Sequence, residues 1–128
     1  MAQILLIEPD GILAGNIRDY FANVNHKVVI HNDLQLAIAA ADNISPAAVI
    51  LELQLAGRSG IEFLYEFRSY PDWQDLPIII YTSLKSEELS AYKKVLQDLN
   101  VSQVLYKPET RLDKLLQTID GQLAPVTV

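Results

Sequence analysis

The sequence predicts one α/β domain built on a doubly wound sheet of five parallel strands. Five short runs of apolar or β-branched residues are typical of strands that are buried on both faces. Each run is followed by a segment in which apolar residues recur at helical spacing, and this alternation favours a parallel sheet with helices on both sides. The length of 128 residues and the hydrophobic fraction of 50% fit one compact core. We therefore expect a domain over residues 1–123 and a short tail over 124–128.

The first two strand–helix units are delimited by residues that cap helices. The apolar run at 4–7 ends in a turn that contains proline, and Asp10 is placed to cap the helix that follows. A β-branched strand is predicted at 27–30. Asp33 then caps a second helix, which is predicted to end near residue 41.

The third and fourth strands are separated by a loop that contains two glycines and by an amphipathic helix. A strand at 47–53 leads into a loop at 54–60, where Gly60 opens the helix. That helix must end before Pro71, because the residue before a proline disfavours helical backbone. The fourth strand is predicted at 76–81.

The last part of the chain carries two further helix starts. Ser86 with an acidic first turn predicts a helix that runs to about residue 99. A fifth strand is predicted at 101–106. Thr110 and Asp113 then resemble a capping box and predict the start of the last helix.

Composition excludes several classes of function. A net charge of -6 argues against direct binding to nucleic acid or to an anionic membrane. The chain has no cysteine, so disulfides and thiolate metal sites are excluded, and two histidines are too few for a histidine-rich site. The first residues contain neither a signal peptide nor a membrane-spanning run, so we expect a cytoplasmic protein.

Polar side chains follow four of the predicted strands. Glu8, Glu52, Thr82 and Lys107 each lie where a strand ends. Because open α/β sheets place their binding sites at the carboxyl ends of the strands, we expect these four side chains to meet at one edge.

Four segments occur in order at residues 4–8, 50–64, 76–83 and 105–108. Together they resemble the receiver domain of bacterial two-component response regulators, which has the flavodoxin-like fold of the chemotaxis regulators. The resemblance covers nearly the whole chain and implies the strand order 2-1-3-4-5, with the site at the point where that order reverses.

The resemblance also implies a role for each of six positions. In that family, an aspartate after the third strand accepts a phosphoryl group from a histidine kinase and helps an acidic pair to hold Mg²⁺. A hydroxyl group and a lysine contact the phosphoryl oxygens. The matching residues here are Glu8 and Pro9 for the acidic pair, Glu52 for the acceptor, Thr82 for the hydroxyl, Lys107 for the lysine, and Gln54, whose carbonyl would be a further metal ligand.

Two of these positions depart from the family pattern. Pro9 has no carboxylate, so one metal ligand is lost, and Asp10 either replaces it or caps the first helix. Glu52 is longer than aspartate by one methylene, which moves its oxygen by roughly 1.5 Å, and an error of about 1 Å can cost on the order of a hundredfold in rate. We therefore expect weak or lost Mg²⁺ binding at Glu8, Glu52 and Gln54, no resident cofactor and no catalytic residue.

Lys107 has two possible roles. It either forms a permanent ion pair with Glu52, supported by Thr82, or makes a weak exposed pair at a wet strand end. The Lys107–Pro108 sequence also resembles the cis peptide bond of the family.

The output face of the family lies on the fourth helix, fifth strand and fifth helix. Tyr92 and Lys93 fall on that helix, and Val104 stands where the family often has a switching aromatic residue, with Tyr106 nearby. The resemblance therefore implies a protein partner, or a homodimer, at this face.

Three functions remain open from the sequence. The leading hypothesis is an atypical receiver, not an enzyme, that binds a histidine kinase, an effector or another signalling protein largely without phosphorylation. The second is a receiver that accepts phosphoryl groups weakly at Glu52. The third is a small-molecule binding module, which the acidic Glu8 disfavours because it would repel phosphate.

Overall fold

The computed structural model describes residues 2–123, and its centre is a sheet of five parallel strands in the order β2-β1-β3-β6-β7. A separate antiparallel hairpin, β4–β5, follows β3. The strands are β1 (Gln3–Ile7), β2 (Lys27–His31), β3 (Ala48–Leu51), β4 (Gln54–Leu55), β5 (Arg58–Ser59), β6 (Ile78–Thr82) and β7 (Gln103–Tyr106). Without the hairpin, this is the order 2-1-3-4-5, so the expected fold is confirmed. The expected tail at 124–128 lies outside the described residues.

Helices cover both faces of the sheet. They are α1 (Gly11–Ala22), α2 (Leu34–Ile44), α3 (Gly60–Ser69), α4 (Ser86–Leu89), α5 (Lys93–Asp98) and α6 (Leu112–Gln122), with 3₁₀ turns at Pro71–Trp73, Ser90–Tyr92 and Lys107–Glu109. Across residues 2–123, every helix is too short or too polar to cross a membrane.

The central strands are apolar throughout because each of them faces two cores. In β1, Leu5 and Ile7 pack on the side of α2 and α3, whereas Ile4 and Leu6 pack on the side of α1 and α6. Successive strand residues point to opposite faces, so a strand with a core on each side carries an unbroken apolar run. This explains why the strands were evident in the sequence.

Two helix starts agree with the sequence analysis. The Asp10 carboxylate accepts hydrogen bonds from the backbone N–H groups of Ile12 and Leu13 at 3.0 and 3.2 Å. The Asp33 carboxylate accepts from Leu36 N–H at 3.0 Å. Each carboxylate satisfies amide groups that the first turn leaves without a partner.

Two other helix starts have capping residues that differ from the prediction, although the helix at Ser86 begins where expected and has its acidic first turn. Ser86 is the first residue of α4 rather than its cap, and the Glu88 carboxylate accepts from the backbone N–H of Lys85 at 3.3 Å. The last helix is capped by Arg111, which makes no side-chain capping bond. Thr110 is unsuited to that role because it ends a 3₁₀ turn, in which its N–H donates to the Lys107 carbonyl at 3.2 Å.

The predicted helix from residue 86 to residue 99 is interrupted by the 3₁₀ turn at Ser90–Tyr92. The Ser90 hydroxyl donates to the Glu87 carbonyl at 2.7 Å. Serine side chains that bond the preceding turn compete with regular helical bonding and often bend a helix. The segment is therefore two short helices, α4 and α5, rather than one long one.

Gly60 lets the chain return tightly against the end of β3. A Cβ atom at this position would lie 2.8 Å from the Glu52 carbonyl oxygen and 3.0 Å from Leu53 Cα. The Gly60 N–H donates to the Leu53 carbonyl at 2.8 Å. The start of α3 thus fixes the backbone that carries Glu52.

Candidate functional site

Two carboxylates extend the sheet by one residue beyond their strands. The backbone N–H of Glu8 donates to the His31 carbonyl at 3.2 Å, and that of Glu52 donates to the Ile7 carbonyl at 3.0 Å. Their side chains are nearly buried, with exposed fractions of 2% for Glu8 and 3% for Glu52. The parallel ladder therefore places two acidic groups side by side at its carboxyl edge.

Each oxygen of the Glu52 carboxylate is held by donors of the chain. Oε1 accepts from Lys107 Nζ at 2.8 Å and from the Ser83 N–H at 3.2 Å. Oε2 accepts from the Thr82 hydroxyl at 2.5 Å and from the Gln54 N–H at 3.1 Å. Buried charges are tolerated only with such bonding.

Lys107 bridges the two carboxylates. Its Nζ lies 2.8 Å from Glu8 Oε1 and 2.8 Å from Glu52 Oε1. The Nζ atom also lies 5.8 Å from the centre of the Tyr81 ring. The expected ion pair with Glu52 is thus present and largely buried, and Glu8 is a second partner that sequence analysis did not anticipate.

The expectation of a cis peptide bond before Pro108 is wrong. Residues 2–123 contain no cis peptide, so the bond between Lys107 and Pro108 is trans. Pro108 lies inside the 3₁₀ turn at Lys107–Glu109, where its fixed φ suits a helical first turn. The lysine reaches both carboxylates from this turn.

The pairing shifts the acid–base equilibria of the site in opposite directions. Burial alone would raise the pKa of Glu52, but hydrogen bonds from Lys107 and Thr82 bring it below its ordinary value. Burial alone would lower the pKa of Lys107, but hydrogen bonds to Glu52 and Glu8 raise it. Burial raises the pKa of the neighbouring Tyr81. Glu52 and Lys107 therefore both stay charged across the neutral range.

The residues expected to hold Mg²⁺ fit that ion poorly. Pro9 is exposed and offers no carboxylate, while the Asp10 carboxylate is committed to the start of α1. Within the described part of the chain, no group of three or more acidic or histidine side chains is arranged around a common point. Gln54 contributes its N–H to Glu52, and its side-chain oxygen accepts from the Ser83 hydroxyl at 2.9 Å.

Ser83 is a site residue that sequence analysis missed. Its N–H and its hydroxyl both face Glu52 Oε1, at 3.2 and 3.5 Å. The signal available in the sequence was a second hydroxyl residue directly after Thr82 at the strand end.

The residues of the expected output face lie in different surroundings. Lys93 and the 39%-exposed Val104 line one groove of about 450 Å³ between α4, α5 and β7. Tyr92 is half-buried and lines a separate cavity beside the β4–β5 hairpin. Tyr106 is half-buried and lines a third cavity next to Leu84. Of the four, only Lys93 and Val104 share one surface.

Comparisons with known proteins agree with this architecture. A model of the response regulator receiver domain family matches residues 4–120. Regulatory protein VanRB of Enterococcus faecalis is 31% identical over 86 residues, which are 67% of this chain, and the match spans 38% of that protein.

Two solved structures show the same fold. Chemotaxis protein CheY4 of Vibrio cholerae has a TM-score of 0.85 at 20% identity, and the match covers 96% of this chain and 99% of that one. The BeF3-activated N-terminal receiver domain of Klebsiella pneumoniae RstA has a TM-score of 0.82 at 24% identity, with the same coverage.

Proposed function

The chain belongs to the response regulator receiver family, and on that premise we propose that it signals through protein contacts without phosphorylation at Glu52. It is a receiver domain of two-component signalling. The observation that carries the proposal is the cluster of Lys107, Thr82 and Ser83 around the Glu52 carboxylate.

This cluster gives Glu52 the contacts that the family resemblance assigns to phosphoryl oxygens. Lys107 and Thr82 bond the carboxylate directly, at 2.8 and 2.5 Å. The additional methylene carries the charge toward these groups, so the glutamate imitates part of the phosphorylated state. A carboxylate supplies one negative charge where a phosphoryl group supplies about two. Its oxygens are also occupied by donors, which opposes their use as a nucleophile.

A second candidate is weak phosphorylation at Glu52 by a histidine kinase. The retained pair of Thr82 and Lys107 favours it, since these groups would also stabilise charge on a transferred phosphoryl group. The small-molecule hypothesis gains no similar support, because the polar groups at the mouth bond one another.

Mass spectrometry of the intact protein separates the first two candidates. Purified protein is incubated with a small phosphoryl donor and Mg²⁺, and we expect no phosphoryl adduct. The double variant Pro9→Asp with Glu52→Asp restores both family residues and is the positive control. An adduct on the natural chain that disappears in Glu52→Gln would contradict the proposal.

The partner surface we propose is the groove between α4, α5 and β7. Its lining includes Leu89, Val101 and Val104, together with Lys93. One exposed and two half-buried apolar side chains beside a single charge suit a protein partner, such as an effector, a kinase or a second copy of the chain. We do not expect nucleic acid or a membrane at this surface, and we place the protein in the cytoplasm.

Sedimentation velocity over a range of concentrations tests the homodimer. We expect the natural chain to self-associate and Val104→Arg to remain monomeric. Leu36→Arg is the matched control, because Leu36 is exposed by 59% but lies on α2, away from the groove. Equal association of both variants would place any dimer elsewhere.

A further inference from the structure

The two buried carboxylates of the site require a cation. Glu8 and Glu52 are almost fully removed from solvent, and isolated charges in such surroundings are strongly destabilising. In the response regulator receiver family, the cation expected at this position is Mg²⁺.

The Lys107 ammonium lies between the two acidic groups. It is 2.8 Å from one oxygen of each, and its side chain is exposed by only 17%. The other Glu8 oxygen accepts from the Asp10 N–H at 3.1 Å. The other Glu52 oxygen accepts from Thr82 and Gln54. All four carboxylate oxygens therefore have donors from the chain itself.

A divalent ion does not fit this arrangement. Mg²⁺ needs several oxygens in near-octahedral geometry, and here it would have to displace the ammonium from both carboxylates. Pro9 supplies no oxygen from its side chain, and the Asp10 carboxylate is bound to amides of α1. The loss of one ligand at Pro9 and the position of the Lys107 ammonium both oppose Mg²⁺ binding.

We propose that the Lys107 ammonium is the resident cation of this site and takes the place of the divalent metal ion. The inference rests on the proposed function and extends it, since it makes the imitation of the phosphorylated state independent of metal. It also predicts that the natural chain does not respond to Mg²⁺. Removal of the ammonium leaves two carboxylates and the Gln54 carbonyl for a divalent ion.

Isothermal titration with Mn²⁺, and then with Mg²⁺, tests this directly. Lys107→Met keeps most of the side-chain volume without the charge, and we expect its affinity for Mn²⁺ to exceed that of the natural chain by roughly ten- to a hundredfold. Lys114→Met is the matched control, because it removes an exposed lysine from α6. It should bind as weakly as the natural chain. Adding Glu52→Gln to Lys107→Met should abolish the gain.

Two results would overturn the inference. One is metal binding by the natural chain with an affinity like that of Lys107→Met. The other is a folded Lys107→Met protein that gains no binding, since the ammonium would then not be what excludes the metal. Circular dichroism establishes that each variant is folded.

A measurement on the natural chain avoids dependence on the variant. The buried ammonium should give a slowly exchanging ¹⁵N signal for Lys107, and we expect Mg²⁺ to leave it unchanged. A saturable shift of that signal would show displacement by the metal and overturn the inference. If the protein nevertheless gains no phosphoryl group, the proposed function survives that failure.

Discussion

Two half-buried cations, Lys107 and Arg68, connect separate segments of the fold through different kinds of acceptor. Lys107 lies at the carboxyl edge of the sheet between two carboxylates. Arg68 lies at the end of α3 and donates to three backbone carbonyls, those of Leu99 at 2.8 Å, Trp73 at 2.5 Å and Asn100 at 3.0 Å. Arginine suits this role because its planar head offers several donors in fixed directions.

The acid–base behaviour of the two cations shows the difference. Burial lowers the pKa of Arg68 below its ordinary value, and the nearby charge of Asp75 offsets this shift only in part. At Lys107 burial acts in the same direction, but the carboxylates reverse it and raise the pKa. Arg68 therefore links α3 to the segments at Trp73 and at 99–100 through hydrogen bonds whose strength does not depend on pH. Lys107 belongs to an ionic cluster whose strength depends on protonation.

The largest expected effect on stability is at Arg68. Arg68→Ala should lower the free energy of unfolding by about 2–4 kcal/mol, because three carbonyls lose a charged donor. Since arginine stays protonated in proteins, the loss should be equal near about pH 5 and about pH 8. Urea denaturation measures both values. Arg18→Ala, which removes an exposed arginine beside Asp19, should change little, and a loss at Arg68 that varies with pH would contradict the contrast.

Lys107→Ala should cost about 1–3 kcal/mol near neutral pH, because it leaves Glu52 buried without its cation. Glu52 has a lowered pKa, so its stabilisation is fully present above its ordinary value of 4.5 and is lost as the pH falls through the lowered value. Lys107 has a raised pKa, so its stabilisation is present below 10.5 and is lost as the pH rises through the raised value.

The difference in the free energy of unfolding between the natural chain and Lys107→Ala should therefore be largest between the pKa values of Glu52 and Lys107. It should become small in acid. Urea denaturation across the pH range tests the shape. A loss under about 0.3 kcal/mol at neutral pH would instead indicate a weak exposed pair.

Thr82→Val should cost about 1–2 kcal/mol, since Glu52 and the Leu84 N–H both lose their bond to the hydroxyl. It should also raise the pKa of Glu52, which ¹³C NMR of the carboxyl group can follow. Thr118→Val is the matched control, because that buried hydroxyl donates to the Lys114 carbonyl on α6. An unchanged Glu52 titration in Thr82→Val would show that the Thr82 hydroxyl does not contribute to the lowered pKa of Glu52.

The smallest expected effect is at Tyr81, whose hydroxyl donates to the Thr110 carbonyl at 3.0 Å. Tyr81→Phe should cost about 0.5–1.5 kcal/mol. The ring stays beside Lys107, so the Glu52 titration should not move. A shift in that titration would mean that the loop after β7 is positioned by this bond.

Sequence analysis reached the sheet and the meeting of the site residues for one physical reason. Parallel strands read as apolar runs, and their carboxyl ends share an edge, so Glu8, Glu52, Thr82 and Lys107 had to lie near one another. It did not reach the bridge from Lys107 to Glu8, because a long side chain chooses its partners in three dimensions.

The remaining misses have local causes. The break at Ser90–Tyr92 depends on a serine bond to the preceding turn, which residue periodicity does not report. The two-residue strands of the β4–β5 hairpin are too short to form a pattern. The roles of Tyr92, Lys93, Val104 and Tyr106 in partner binding stay predictions.

The break in the helix has a consequence for how the molecule opens. Amide protons exchange with solvent through local unfolding, and short helices with few buried residues open at the lowest cost. Of the residues in α4 and the turn at Ser90–Tyr92, none is buried, and α5 has one buried residue, Leu96. This wall of the groove should therefore exchange its amides well before α1 or α3. A partner that binds in the groove would contact the part of the fold that reorders most readily. Its binding would slow amide exchange along α4, the turn at Ser90–Tyr92 and α5.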